Sequence, residues 1–391
     1  MTAQKQTSNI LEPSKVSRAN RLKSFKAADF GVPKGREEDW RFTPMRRIRQ
    51  MFEAEGYAGT PQVEIQAPAS VIVATVSRTE LDEPVVLAPE DYPSALAWEK
   101  FEETTEVVIP REVELDEPVY LTVTAGAELK AGRIVVRAEA MSKGTVVILH
   151  NGPAMYNETV EVEAGEGANL TVVAVHEWDR DALHTASHRV RASRDSNLHH
   201  MVVTLGGDTV RINVDTDMTG PGANVKLNGL YFVDKGQHME HRIFTHHTAP
   251  DCFSRVAYKG ALQGKDARSV WIGDCLIGVD ADNTDTYELN RNLILTEGAK
   301  ADSVPNLEIE NGEIEGAGHA SATGRFDDEQ LFYLMSRGVP ELEARRLVVR
   351  GFFAEVLQEI GIRELEDRLI NQIEQELKDY GYAMDQTADS E

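Results

Sequence analysis

Cysteine is scarce: Cys252 and Cys275 are the two in 391 residues, and no CxxC pair occurs. A disulfide framework would need more cysteines in a shorter chain. A self-contained iron–sulfur centre usually takes four thiolates. The chain is therefore excluded from both classes, and its cysteines are expected to be buried free thiols acting as small hydrophobes. No apolar run approaches the roughly 20 residues that cross a bilayer, so no membrane partner is expected. The N-terminal stretch is basic but lacks an apolar signal core, which makes the cytoplasm the expected location. Positive charge is also short. There are 41 Lys and Arg against 65 Asp and Glu, a net charge of −24. General nucleic-acid binding needs a positive surface and is not expected.

Phosphate-binding signatures are missing too. The nearest to a P-loop is Gly260-Ala-Leu-Gln-Gly264-Lys265-Asp266. It is one residue short, and Asp266 would repel phosphate where a hydroxyl should meet Mg²⁺. No GxGxxG opens a helix and no GxSxG occurs, so no nucleotide is expected on this chain.

What is present is unevenly arranged. Residues 1–50 carry twelve Lys/Arg against five Asp/Glu, and residues 326–391 carry seven against sixteen. The summed field is acidic, so the basic arm reads as a helical cap rather than an RNA- or membrane-binding segment. Residues ~15–55 read as helical, with helix formers from Ser17 to Phe25 and Pro44 opening a run to Phe52. From ~60 to ~320 short β-branched runs alternate with Gly, Asn and Asp, without a long amphipathic helix. That texture argues against alternating β/α units.

A weak repeat runs through this region. A turn carrying a small residue precedes a strand at Ala168, Ser196, Ala223, Ala267 and Ala299, in steps of 28, 27, 44 and 32. Such a period suggests stacked coils, here of strands, hence a mainly β fold built on a parallel β-helix. Val172, Val202, Leu230 and Val270 are expected to point inward. A β-sandwich with chance spacing is the alternative. Beyond ~326 the pattern is helical. Asp327 and Gln330 resemble a capping box, and a helix would run to Gly338. A second would span Glu341 to Ile360, and a third carries Ile362, Leu365, Leu369, Ile373 and Leu377 on one stripe. These helices would cap the open edge of the solenoid. The expected parts are an N-terminal helical segment, 1–60, a β-helix core, 61–325, and a C-terminal helical domain, 326–391.

Few residues point to chemistry. His238, His241, His246 and His247 cluster in sequence, but on a strand His238 and His241 face opposite ways. They are expected to be structural or surface histidines on adjacent strands, and His199 and His200 diverge likewise. His319 differs, because Gly316, Ala317, Gly318 and Ala320 leave its imidazole open to an approaching group. A neutral imidazole there suits iron or zinc, and a hydrogen-bonded turn histidine is the bland alternative. Asp280, Asp282 and Asp285, and Asp327 with Asp328, read as turn and cap residues rather than acid–base pairs.

The stretch Asp285–Gly338 carries more. It contains Asp285-Thr-Tyr-Glu-Leu-Asn-Arg-Asn-Leu-Ile-Leu295, Ala301-Asp-Ser-Val-Pro-Asn306, Gly318-His-Ala-Ser-Ala-Thr-Gly-Arg325 and Glu329-Gln-Leu-Phe-Tyr-Leu-Met-Ser-Arg-Gly338. With Gly35-Arg-Glu-Glu-Asp-Trp40 and Ser269-Val-Trp-Ile-Gly273, it resembles the SufD branch of the SufB/SufD family of iron–sulfur cluster assembly scaffolds. The resemblance implies a right-handed parallel β-helix between helical ends and no catalysis by the chain itself. It implies pairing with a SufB paralogue through the β-helix ends, and, without SufB, a homodimer. It implies docking of the SufC ATPase around Phe332, Tyr333, Ser336, Arg337 and Gly338, whose ATP cycle would remodel the SufB–SufD interface. His319 matches the family histidine proposed to act there, a ligand of a nascent iron–sulfur cluster built only in complex with SufB. SufB carries a cysteine in the segment corresponding to Leu289-Asn290-Arg291; this chain has none.

Overall fold

The computed structural model describes residues 18–388 apart from 54, 82–85 and 327. Ser17 and Asp327, on which two helix-start readings rest, lie outside the described residues.

The strands stack into a flattened parallel solenoid of about eight turns. One face is built from segments 119–124 and 143–152, then Asn169–Trp178, Asn197–Thr204, Asn224–Val233, Phe253–Leu262, Asp285–Ile294 and Gly316–Arg325. The opposite face stacks Glu103–Ile109, 129–138, 155–164, Leu183–Ala192, Thr209–Met218, His238–His247, Arg268–Ile277 and Lys300–Ile309. The irregular step of 44 in the sequence repeat now has a reason. Ala168, Ser196 and Ala223 precede strands of the first face, whereas Ala267 and Ala299 precede strands of the second. The missing member of the first row is Cys252, directly before Phe253.

Between the faces lies the main core, which includes Leu121, Ile148, Val172, Val202, Leu227, Tyr231, Val256 and Trp271. Two of the residues expected inside point out. Leu230 packs under the C-terminal helices, and the Val270 neighbours in register, Glu240 and Asp302, are on the outer side. The outer flank of the first face is covered by helices, so apolar character does not distinguish inward from outward positions there, while Val270 is an isolated apolar residue among charged outward neighbours. Gly260 shows how closely the interior is filled, because a Cβ there would lie 1.8 Å from the Tyr231 ring. The same glycine belongs to the imperfect P-loop; in the fold it makes room for a ring.

The N-terminal segment forms short turns of helix, not long ones: α1 (Ala27–Phe30), α2 (Met45–Ile48) and three-residue or four-residue 3₁₀ turns. Gly31, Pro33, Gly35 and Pro44 interrupt the helix formers. A helix missed in the strand region, α3 (Tyr92–Lys100), is capped by Asp91, whose side chain accepts from the Ser94 amide at 3.0 Å. Trp40, Ile48, Met51, Phe52, Tyr92 and Leu96 pack over the second face at Leu129 and Leu183. The basic arm pairs with the solenoid's own acids. Arg18 bonds Asp215 at 2.7 Å and also Asp274, while Arg47 reaches Asp208 at 3.3 Å.

The C-terminal helices are α4 (Asp328–Ser336), α5 (Glu341–Gln358) and α6 (Arg363–Ala388). The stripe Leu365, Leu369, Ile373 and Leu377, with Val349, Phe353 and Val356, packs on the outward side chains Val173, Val175, Met201, Val203, Leu230 and Phe232. Each such burial stabilises the fold by about 1.5–3 kcal/mol. These helices therefore cover the flank of the first face, not the end of the solenoid as the sequence suggested.

The two ends differ. At the start, Gln62–Gln66 pairs antiparallel with 120–124, and Ile72–Ser77 pairs antiparallel with Glu103–Ile109. At the finish, Lys300–Ile309 and Gly316–Arg325 are the outermost strands of their faces, each with one unpaired edge. The last strand is exposed from Ser321 to Arg325.

Candidate functional site

His319 lies on that last strand and is exposed. Its register partner one turn below is Glu288. Thr286, Glu288, Asn290 and Asn292 alternate into the core and are all buried. In-register parallel stacking puts Ala317, His319, Ser321 and Thr323 above them, on the same inward side. The open end is thus a mouth in which His319 stands over the interior.

The wall opposite is made by Trp271, Gly273 and Ser303. A Cβ at Gly273 would lie 2.3 Å from the Trp271 ring and 2.8 Å from Glu288 Oε2, so the glycine gives the carboxyl its space. Neither Glu288 oxygen has a hydrogen-bond partner among the described residues, and neither does Trp271 Nε1 or Ser303 Oγ. Burial, then the nearby Asp274 carboxylate, push the Glu288 carboxyl up to about 8, against a smaller opposing pull from Arg18. Beside it, Asn290 donates to Tyr231 Oη at 3.0 Å, and Tyr231 donates to Asn292 at 2.7 Å. Sequence reading singled out His319 but passed over Glu288, because an isolated Glu on a strand carries no signal until the register is known.

The cysteines are buried free thiols, as expected. Burial pushes Cys252 up to about 11 and Cys275 up to about 12, so neither offers a thiolate. The cysteine-ligand set of an iron–sulfur cluster is therefore not supplied by this chain.

His238, His241, His246 and His247 sit on one strand, not on adjacent ones. They divide between its sides. His238 lies near Glu240 at 3.5 Å on the outer side, and His246 near Asp217 at 3.3 Å. His241 faces inward to Thr204 Oγ1 at 2.9 Å, and His247 to Ser254 Oγ at 3.0 Å. His199 and His200 diverge as anticipated, toward Asn228 at 2.8 Å and toward His188 at 2.9 Å. Among the described residues, no three His, Cys, Asp or Glu side chains are grouped to hold a metal.

A larger convergence, invisible in the spacing of its members, lies deeper in the solenoid. His150, His176, His184, His188, His200 and His241 all enter the core. His150 and His176, register partners, stack at 4.3 Å. Glu158 accepts from His150 Nε2 at 2.9 Å and lies 3.3 Å from His184 Nε2. Burial alone would raise the Glu158 carboxyl, but His150 and then His184 hold it below the usual range. Burial lowers His176, His184, His188, His200 and His241, with neighbouring histidines adding to it. Tyr231 stacks on His241 at 4.9 Å and hydrogen-bonds Asn290 and Asn292, so it links this cluster to the polar residues below the mouth.

On α4, Phe332 is 74% and Tyr333 57% exposed, with Met335 exposed beside them. Ser336 donates to the Tyr333 carbonyl at 2.8 Å, and the Arg337 guanidinium lies 5.1 Å from the Tyr333 ring centre. Leu342 and Leu347 on α5 extend this exposed apolar set. Asp282 accepts from Asn311 at 2.5 Å and Asp285 pairs with Arg255 at 2.7 Å. Asp280 and Asp282 lie in a turn, as expected, whereas Asp285 opens the strand Asp285–Ile294; Asp327 lies outside the described residues.

The family model for the SUF system FeS cluster assembly SufBD core domain matches residues 121–352, from the first full turn into α5. The chain belongs to the SufBD family. A SufBD family iron–sulfur cluster assembly protein of Mycobacterium tuberculosis (strain CDC 1551 / Oshkosh) is 48% identical over 366 residues, covering 91% of this chain and 92% of that protein. SufD of Bacillus subtilis is 30% identical over 281 residues, 69% of this chain and 63% of that protein. SufD of Escherichia coli is 23% identical over 385 residues, 89% of this chain and 90% of that protein. As a SufBD protein, the chain works in iron–sulfur cluster assembly. No helix among its described residues is long and apolar enough to cross a membrane.

Proposed function

We propose that this SufBD protein is the SufD-type scaffold subunit of a cytoplasmic assembly complex, without catalysis of its own. Its open end pairs with a SufB paralogue, strand edge to strand edge. The observation that carries this reading is the asymmetry of the solenoid. One end finishes in two short strands, Gln62–Gln66 and Ile72–Ser77, that run against the coil, while the other ends on the ten-residue parallel strands Lys300–Ile309 and Gly316–Arg325 with their full edges unpaired. A free strand edge is a ready template for another chain. In isolation the same edge would support a homodimer.

The SufC ATPase docks on α4 and the start of α5, through Phe332, Tyr333, Ser336, Arg337 and Gly338. The exposed aromatic pair supports this, because large apolar groups left on a surface mark interaction sites. ATP binding and hydrolysis on SufC would then shift the SufB–SufD interface. The nascent cluster, the cargo of the complex, would form at that interface with His319 as the ligand from this side. Sulfur ligands come from the partner, since both thiols here are buried.

The test is an anaerobic affinity pull-down of the tagged full chain from its native cells. Recovery of an ABC-type ATPase together with a cysteine-bearing β-helix paralogue is expected. Recovery of neither under gentle conditions would overturn the scaffold reading.

A further inference from the structure

We propose that Glu288 and His319 together form a ferrous-iron site at the mouth of the solenoid, with Glu288 as the second protein ligand. The inference deepens the scaffold reading by naming what the mouth would take before any cluster exists. Four observations carry it.

First, the two residues are register neighbours on adjacent parallel strands, and their side chains lie on the same inward side. Backbones so paired lie about 4.8 Å apart, a spacing that lets two side chains share one ion. Second, Glu288 is 1% exposed and neither of its oxygens has a hydrogen-bond partner among the described residues. A buried carboxyl left without a partner is costly, and a bound cation would relieve that cost. Third, Gly273 and the edge of Trp271 shape a space against the carboxyl, which a Cβ at Gly273 would fill. Fourth, the connection between the last two strands carries Glu310, Glu313 and Glu315, all exposed. That rim draws cations toward the mouth.

An oxygen and an imidazole nitrogen suit divalent iron, manganese or zinc better than a soft thiolate-seeking ion. The remaining positions would be filled by water in the isolated chain and by partner groups in a complex. Among the described residues no third protein ligand joins the pair.

The experiment is an anaerobic calorimetric titration of the isolated full-length chain with Fe²⁺, repeated with Mn²⁺. Wild type is expected to bind one ion per chain. Glu288→Gln and His319→Ala are each expected to weaken binding at least tenfold. Glu315→Gln, a change on the rim, is expected to weaken it less than twofold. Circular dichroism and thermal midpoints establish that each variant folds. Unchanged affinity in folded Glu288→Gln would overturn the proposal. Should that variant not fold, His319→Gln alters only an exposed side chain, and unchanged affinity in it is equally fatal. The titration involves no partner. Failure to bind iron would leave the pull-down result standing, and failure of the pull-down would leave the titration to be read alone.

Discussion

The two ends of the solenoid are made from similar strands but finished differently. At the first, Gln62–Gln66 and Ile72–Ser77 turn back antiparallel and pair with the opening turn. At the last, two strands of ten residues are left with free edges and a polar interior showing between them. A solenoid that only needed to be soluble would protect both ends. Ending on two long parallel edges is informative, since the other end finishes in short strands of five and six residues that run against the coil. The difference extends inward. The early turns enclose histidines around Glu158, and the late ones enclose Asn290, Asn292 and Glu288 beneath small residues and His319.

The strongest way to break this comparison is to remove the helices after Gly324. Had they been the cover of the open end, the solenoid would survive their loss. Because they instead bury Val173, Val175, Met201, Leu230 and Phe232, truncation is expected to expose that flank and yield aggregated or unfolded protein. A soluble truncated chain with a cooperative thermal transition would contradict the packing described.

Acid sharpens the contrast between the interiors. His188 and His241 are lowered by burial to about 3. The unfolded chain therefore binds protons near pH 6.5 that the folded chain refuses, and stability falls as pH drops below that value. Each such histidine contributes about 2 kcal/mol less at pH 5 than at pH 7.5. Glu158, held low, loses its stabilising contribution only further into acid. Urea unfolding between pH 7.5 and 5 should show midpoints that fall steeply, and His188→Gln should flatten the slope. A flat profile in wild type would mean that water reaches the cluster.

A smaller effect is expected at α4. Phe332→Ala with Tyr333→Ala should weaken ATPase binding about tenfold, roughly 1.4 kcal/mol, without moving the thermal midpoint, since both rings are exposed. Unchanged affinity, measured by biolayer interferometry, would move the docking surface elsewhere.

Much of this architecture is legible from spacing. Turn-forming small residues before β-branched runs give stacked coils, and the stripe from Leu365 to Leu377 gives a docking helix. The rest depends on register, which a single sequence does not reveal. Leu230 reads as interior because the C-terminal helices make the outward positions of the first face as apolar as the inward ones, and Val270 because it is an isolated apolar residue between the outward Glu240 and Asp302. His150 and His176 meet only because they lie one turn apart on the same face. Glu288 acquires meaning only when paired with His319. The N-terminal helices shrink to single turns because Gly and Pro break them, while the arm's arginines find acids far along the chain.

The central claim is that the bare end is where a partner chain joins. Native mass spectrometry of the complex carrying Ser321→Lys tests it most directly, with Glu64→Lys at the opposite end as the matched control. Ser321 is exposed at the mouth and Glu64 is exposed on the capping strand, so neither change should disturb the fold. The account predicts that Ser321→Lys loses the paralogue while keeping the ATPase, and that Glu64→Lys keeps both. A Ser321→Lys complex that retains the paralogue at wild-type occupancy would contradict it.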